Sequence, residues 1–131
     1  MSNVAADRKY TKDHEWAKTE AGDLVVCITA YAVEQLGDIT LVNLDVKEGD
    51  TVTEGKPFGT IESVKTLSDL FAPVSGTVER VNTDLEASQE LVNEDCWGKA
   101  WMIEIRLADP HELGTLLDAA AYAELLKTAA H

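Results

Sequence analysis

Lys65 is the side chain whose surroundings best suit chemistry. It lies in Glu62-Ser63-Val64-Lys65-Thr66, between apolar runs at 58–61 and 67–71. Two short strand-like runs joined by a polar link read as a β-hairpin with the lysine at its tip. A primary amine presented this way can be acylated, and the amide would anchor a swinging arm. A lysine that is merely solvated at a turn is the plain alternative, and composition alone favours it. Local features weigh the other way. The link 63–66 holds no Gly, Asn or Asp, the residues that tight hairpin turns use. Val64 is apolar where a projecting tip favours a polar residue. Glu62 precedes the lysine by three positions, and Gly76 follows it by eleven, at the end of the turn signal Ala72-Pro73-Val74-Ser75-Gly76.

Other reactive patterns are missing. The histidines are His14, His111 and His131; His111 falls in a predicted first helical turn and His131 is the last residue. Cys27 and Cys96 are far apart, and no His or Cys pair has metal-ligand spacing, so no metal site is expected. Neither a Gly-x-Ser-x-Gly elbow nor a phosphate-cradling glycine loop occurs. The sequence reads as a non-catalytic protein.

The lysine needs a scaffold, and the chain is long enough to build one. It has 131 residues, 45% of them hydrophobic, the size of one domain with its own core. We expect a single domain over 1–131. Twenty-four acidic and 11 basic side chains give a net charge of −13. That charge excludes DNA, RNA and anionic membrane as natural partners, which require a basic face. It leaves protein partners with basic docking patches, and it also keeps a soluble protein soluble. Two cysteines make no disulfide framework, which fits a reducing compartment. The first residues lack a secretory h-region and are not Arg-rich like a transit peptide. A cytoplasmic location is expected, and a mature organellar form is also compatible.

Hydrophobic periodicity predicts a β core over about 23–107. Strands are expected at 24–28, 39–44, 51–53, 58–61, 67–71, 76–81 and 100–107. Turns fall at 47–50 and 54–57. Thr29 is placed to cap a short helix that ends at Gly37. Asp109-Pro110-His111-Glu112 carries a strong helix start, and Asp118 starts a second helix to about 128, with Tyr122, Leu125 and Leu126 as its apolar stripe. The C-terminal helical segment thus spans about 110–128. The runs 47–52 and 82–87 echo each other as a turn leading into a strand, which suits two sheets with approximate twofold symmetry.

Ordered motifs along nearly the whole chain resemble the glycine cleavage H-protein family. They are Tyr10-Thr11-Lys12-Asp13-His14-Glu15-Trp16, Gln35-Leu36-Gly37-Asp38, Phe58-Gly59, Glu62-Ser63-Val64-Lys65, Ser68-Asp69 and Pro73-Val74-Ser75-Gly76. Val81-Asn82, Leu91-Val92-Asn93-Glu94-Asp95, Gly98 and Trp101 follow. The resemblance implies a mainly β barrel-sandwich hybrid, two small antiparallel sheets of the lipoyl- and biotinyl-carrier type, with short edge helices and a C-terminal helical segment. It implies lipoate amide-linked to Lys65, carrying an aminomethyl group from a pyridoxal-phosphate glycine decarboxylase (P protein) to a tetrahydrofolate aminomethyltransferase (T protein). A dihydrolipoamide dehydrogenase (L protein) would reoxidise the arm. Glu62 and Gly76 match family positions that guide the lipoylating enzyme, and Glu15 matches a position that contacts the loaded arm. Gln35 stands where some relatives place a histidine of the same pocket. Cys27 and Ala30 stand where the family usually has a glycine and an acidic residue.

Other roles share the modified lysine. A lipoyl donor in a lipoate relay would look the same along the chain. A biotin carrier typically flanks its lysine with methionines, whereas Val64 and Thr66 stand here. An unmodified binding module would leave Lys65 solvated.

Overall fold

The computed structural model describes residues 7–20 and 23–129. His131 and the first six residues, on which two of the readings above rest, lie outside that range. The elements run β1 (Lys9–Tyr10), β2 (Glu15–Glu20), β3 (Asp23–Ile28), α1 (Ala30–Leu36), β4 (Ile39–Leu44) and β5 (Thr51–Val52). Then come β6 (Pro57–Ser63), β7 (Leu67–Phe71), β8 (Gly76–Val81), α2 (Asp84–Ala87), α3 (Leu91–Glu94) and β9 (Ile103–Leu107). A 3-10 helix (Pro110–Thr115) and α4 (Ala119–Ala129) end the chain.

The fold is mainly β, with two antiparallel sheets. One has six strands in the order β1-β2-β3-β9-β8-β5, the other three in the order β4-β6-β7. Strand alternation builds the core between them. In the larger sheet Leu24 pairs with Ile105, and Val26 with Ile103; these four are fully buried. From the smaller sheet come Val42, Ile61 and Leu70, each nearly sealed from water.

Several expectations shift. The β structure begins at Lys9 rather than near residue 23. β2 is polar and breaks alternation, with Glu15, Trp16 and Ala17 all buried in succession, so its pattern gives no clean period. It is a strand because its full length pairs with apolar β3. The echo at 82–87 fails: that stretch enters α2 rather than a strand. Leu85 is its buried anchor, and Val92 anchors the next helix, α3. The strand expected from residue 100 starts at Ile103. Asn82 explains the delay, because its Nδ2 donates to the Lys99 and Trp101 carbonyls, at 3.0 and 2.8 Å.

Helix signals perform as expected, with one change. Thr29 Oγ1 accepts from Ala32 N–H, and Gly37 closes α1 at φ 81°, a conformation costly for other residues. Asp109 accepts from His111 N–H, but the helix it starts is 3-10. Glu112 turns its carboxylate to Ser75 N–H at 3.0 Å, tying this segment to the loop before β8. Asp118 caps α4 through Ala121 N–H. Tyr122 is fully buried, with Leu125 and Leu126 packed beside it, and its ring stacks on Tyr10 at 4.4 Å.

The outer face of the larger sheet carries an aromatic cluster that joins the core through Trp16 and through the edge contact of Trp97 with Tyr10, at 6.2 Å. Trp16 and Lys18 point away from the face that holds Glu15 and Ala17. With Arg8, Arg80, Trp97 and Trp101 they line a cleft of about 230 Å³. The Arg8 guanidinium sits 4.2 Å from the centre of the Trp16 ring and 5.3 Å from that of Trp97. Arg80 covers Trp101 at 5.0 Å and pairs with Glu104 through Nε at 2.6 Å.

Gly76 is fixed by packing. It opens β8 opposite Val52 and Leu107, and a Cβ there would overlap the Arg106 carbonyl oxygen and press on Ile105. Backbone on one side leaves nothing flexible to yield. Gly76→Ala should therefore lower stability by about 1–3 kcal/mol, read as a lower urea midpoint with an unchanged slope.

Candidate functional site

Lys65 stands, as expected, in the turn between β6 and β7. The turn has ordinary chemistry after all. Ser63 Oγ accepts from the N–H groups of Lys65 and Thr66, each at 3.2 Å. Ser63 N–H donates to Thr66 O at 2.8 Å. A serine hydroxyl thus does what Asn or Asp does in other turns, and the expectation that usual turn chemistry fails here is corrected.

The tip is held from behind. Val64 N–H donates to Asp38 O at 3.0 Å. Asn93 fixes both sides of Asp38: its Nδ2 donates to Gly37 O, and its Oδ1 accepts from Ile39 N–H, each at 2.9 Å. Gly37 also lies against the lysine: a Cβ there would meet Lys65 Cε in van der Waals contact at 3.4 Å. The lysine stem therefore runs against the end of α1. Lys65 itself is exposed.

Beside it opens a cleft of about 170 Å³ between α1, the start of β2 and the inner side of β6 and β7. Gln35 and Leu36 line it from α1, and Ile61, Ser68 and Leu70 from the hairpin. Asp13, His14 and Glu15 close its far side, and Asp69 joins the wall. The structure thus brings Glu15 and Gln35 into one cleft adjoining the Lys65 hairpin. Glu62 lies on the opposite, exposed face of β6, paired between Leu41 and Leu67. Gly76 belongs to the other sheet.

Glu15 is the electrostatic centre of this cleft. It is 2% exposed. Thr11 Oγ1 donates to its Oε1 at 2.9 Å, and Phe71 N–H donates to its Oε2 at 3.1 Å. Burial nevertheless pushes its carboxyl up to about 8, against the pull of those two hydrogen bonds. The group is thus largely protonated at neutral pH and ionises readily when a cation arrives.

His14, left unassigned in the sequence, is a neighbour. Its φ is 68°, an unusual region for a non-glycine residue. Its Nδ1 lies 2.9 Å from Tyr122 Oη, which lies 2.7 Å from Thr29 Oγ1, so α4 braces the cleft floor. Burial holds the imidazole below its usual range and pushes the Tyr122 phenol up to about 12. Thr11, Asp13, His14, Asp69 and Asn93 carry no spacing signal that singles them out; their quoted motifs are the only hint.

The two cysteines offer no ready nucleophile. Both are buried and free. Burial pushes the Cys27 thiol far up and Cys96 to about 11, while Cys27 Sγ donates to Ala100 O. Among the described residues no group of His, Cys, Asp and Glu side chains could hold a metal ion. No helix among them is long and apolar enough to cross a membrane.

The Glu15 shift has a consequence for stability. Unfolded, the group ionises near its ordinary 4.5; folded, it holds its proton to about 8. Between those values the folded chain binds a proton that the unfolded chain lacks, so this group makes stability fall as pH rises. The effect is on the order of a few kcal/mol. Glu15→Gln should flatten the fall between about pH 5 and pH 8, measured by urea unfolding across that range; an equal fall in the variant refutes the assignment.

Comparison with known proteins agrees with this architecture. The family model described as Glycine cleavage H-protein matches residues 8–129. A glycine cleavage system H protein of Symbiobacterium thermophilum is 49% identical over 122 residues, covering 93% of this chain and 94% of its own. One from Myxococcus xanthus is 46% identical over 125 residues, covering 95% and 96%. The crystal structure of a glycine cleavage system H protein from Mycobacterium marinum superposes with a TM-score of 0.86 at 37% identity, covering 95% of this chain and 99% of that one. With its two-sheet fold, its lysine hairpin and these matches, the chain belongs to the glycine cleavage H-protein family.

Proposed function

We propose that the chain is the lipoyl carrier of a glycine cleavage system, with lipoate amide-linked to Lys65. The observation that carries this reading is the pairing of an exposed hairpin lysine with a cleft that ends in a buried carboxyl. Among the described residues no hydrogen bond or ion pair ties down the Lys65 amine. The cleft-lining residues 68–70 stand roughly 10–17 Å along β7 from Lys65 at strand spacing. A lysine stem with a lipoyl chain reaches roughly 14 Å from ordinary bond lengths. The residues present therefore fit the group.

Lipoate, when bound, supplies a dithiolane that takes an aminomethyl group from glycine at the decarboxylase, gives it up at the aminomethyltransferase, and is reoxidised by dihydrolipoamide dehydrogenase. Everything else falls to this chain's residues. Lys65 tethers, which gives the arm a high effective concentration at each docked enzyme. Ser63, Asp38 and Asn93 keep the tether's base in one place. Glu62, exposed beside Lys65, is in reach of a lipoylating enzyme. Gly76 serves that recognition only by holding β8 against β9, so that the hairpin is presented in one shape. Glu15 ionises to meet the ammonium of a loaded arm, and the apolar wall of Ile61, Leu36 and Leu70 keeps water from it. Gln35 offers a neutral amide on the same wall, which orients cargo without competing for the charge.

Three measurements test this. Expression with lipoate and an active ligase should add a lipoyl-sized mass to the wild type and nothing to Lys65→Ala; an unmodified wild type sinks the reading. Glycine–bicarbonate exchange with the decarboxylase then separates glycine cleavage from a pure lipoate relay, which would show none. On the loaded carrier, Glu15→Gln should speed release of formaldehyde by tenfold or more, the scale of one lost charge contact. Unchanged release would remove Glu15 from the cargo's resting place.

A further inference from the structure

We propose that the outer face of the three-stranded sheet, around Lys65, is the docking surface for the active-site entrance of the enzyme that loads the arm. The entrance it fits has an apolar rim and a basic side chain opposite Glu62. This rests on the carrier reading above.

The exposed large hydrophobics among the described residues are Leu41, Val64 and Leu67, at 46, 66 and 61% exposure. They are not scattered. Leu41 pairs with Glu62, and Glu62 with Leu67, so the three side chains form one row across β4, β6 and β7. Val64 stands at the tip beside Lys65. Single exposed apolar side chains need no explanation, but a cluster around one reactive amine marks an interaction surface. The next row on this face is Asn43, Thr60 and Asp69. The two rows thus contain the carboxylate residues Glu62 and Asp69, the latter also bordering the cleft, and no basic residue.

The cluster is preorganised. Val64 N–H is bound to Asp38 O, its Cγ2 packs toward Gly37, and Leu41 and Leu67 sit on paired strands. A surface already in its bound shape loses little entropy on docking.

The choice of occupant follows from charge and position. Anything that takes an arm from Lys65 must cover its neighbours, so an enzyme's entrance meets this collar by geometry. A second copy would bring together two like faces on chains of net charge −13, and would bury the lysine it needs free. Phosphate-bearing partners are repelled for the same reason.

The experiment uses lipoylated protein, with loading verified by intact mass. Carrier concentration is varied in the glycine decarboxylase reaction for the wild type, for Leu41→Ser with Leu67→Ser, and for Leu41→Met with Leu67→Met. Unfolding curves confirm that each variant is folded. The serine pair should raise the carrier KM at least tenfold with kcat within twofold, a loss of about 1.4 kcal/mol or more. The methionine pair should restore it. An unchanged KM, or a fall in kcat alone, overturns the proposal. A wild-type dimer by sedimentation velocity that the serine pair dissolves also overturns it, because the face then belongs to a second copy. Raising salt should weaken wild-type docking more than that of lipoylated Glu62→Gln; equal slopes remove the basic side chain from the entrance. A lipoylated wild type that the decarboxylase does not accept at all speaks against the carrier reading instead.

Discussion

The buried carboxyl of Glu15 is the constraint around which this protein is arranged. It sits on β2 of one sheet and accepts from the backbone of Phe71, at the end of β7 of the other. One hydrogen bond therefore spans the two layers at the point where the cleft closes. The Phe71 N–H would otherwise lack this partner, and the carboxyl would lack a reason to stay dry. Because burial dominates over its two donors, the group is poised rather than permanently charged.

Tip and cleft are built by different means. The tip rests on local hydrogen bonds, Ser63 within the turn and Asp38 and Asn93 behind it. The cleft rests on long-range packing, with α4 bracing His14 and Thr29 through Tyr122. The exposed row of Leu41, Glu62 and Leu67 and the cleft lined by Ile61 and Leu70 lie on opposite sides of the same hairpin, since alternation sends Glu62 outward and Ile61 inward. An arm on Lys65, as proposed, would be rooted between them and could serve either side without rearranging the sheet.

How far the sequence revealed this depends on the range of each interaction. Lys65, the hairpin and most strands follow from short-range pattern. Thr29 and Asp118 capped their helices as local chemistry required. β2 was illegible because a partner strand, not its own periodicity, makes it a strand. The late start of β9 depends on Asn82, a residue about twenty positions away. The turn at 63–66 is poorly marked in the sequence because serine is a weaker turn signal than Asn or Asp, although its hydroxyl performs the same task. Glu15 and Gln35 were paired only by family resemblance. Nothing in their own neighbourhoods says that residues twenty positions apart share a wall, and His14 and Asn93 were silent for the same reason.

The arginine–tryptophan cleft on the back of the larger sheet carries an optical consequence. It gathers all three tryptophans of the chain, and none of them lines the cleft beside Lys65. Intrinsic emission therefore originates outside the lining of the Lys65 cleft. It reports whether the packing of the larger sheet is intact, and that packing is joined to the cleft floor through Tyr10, Tyr122 and His14.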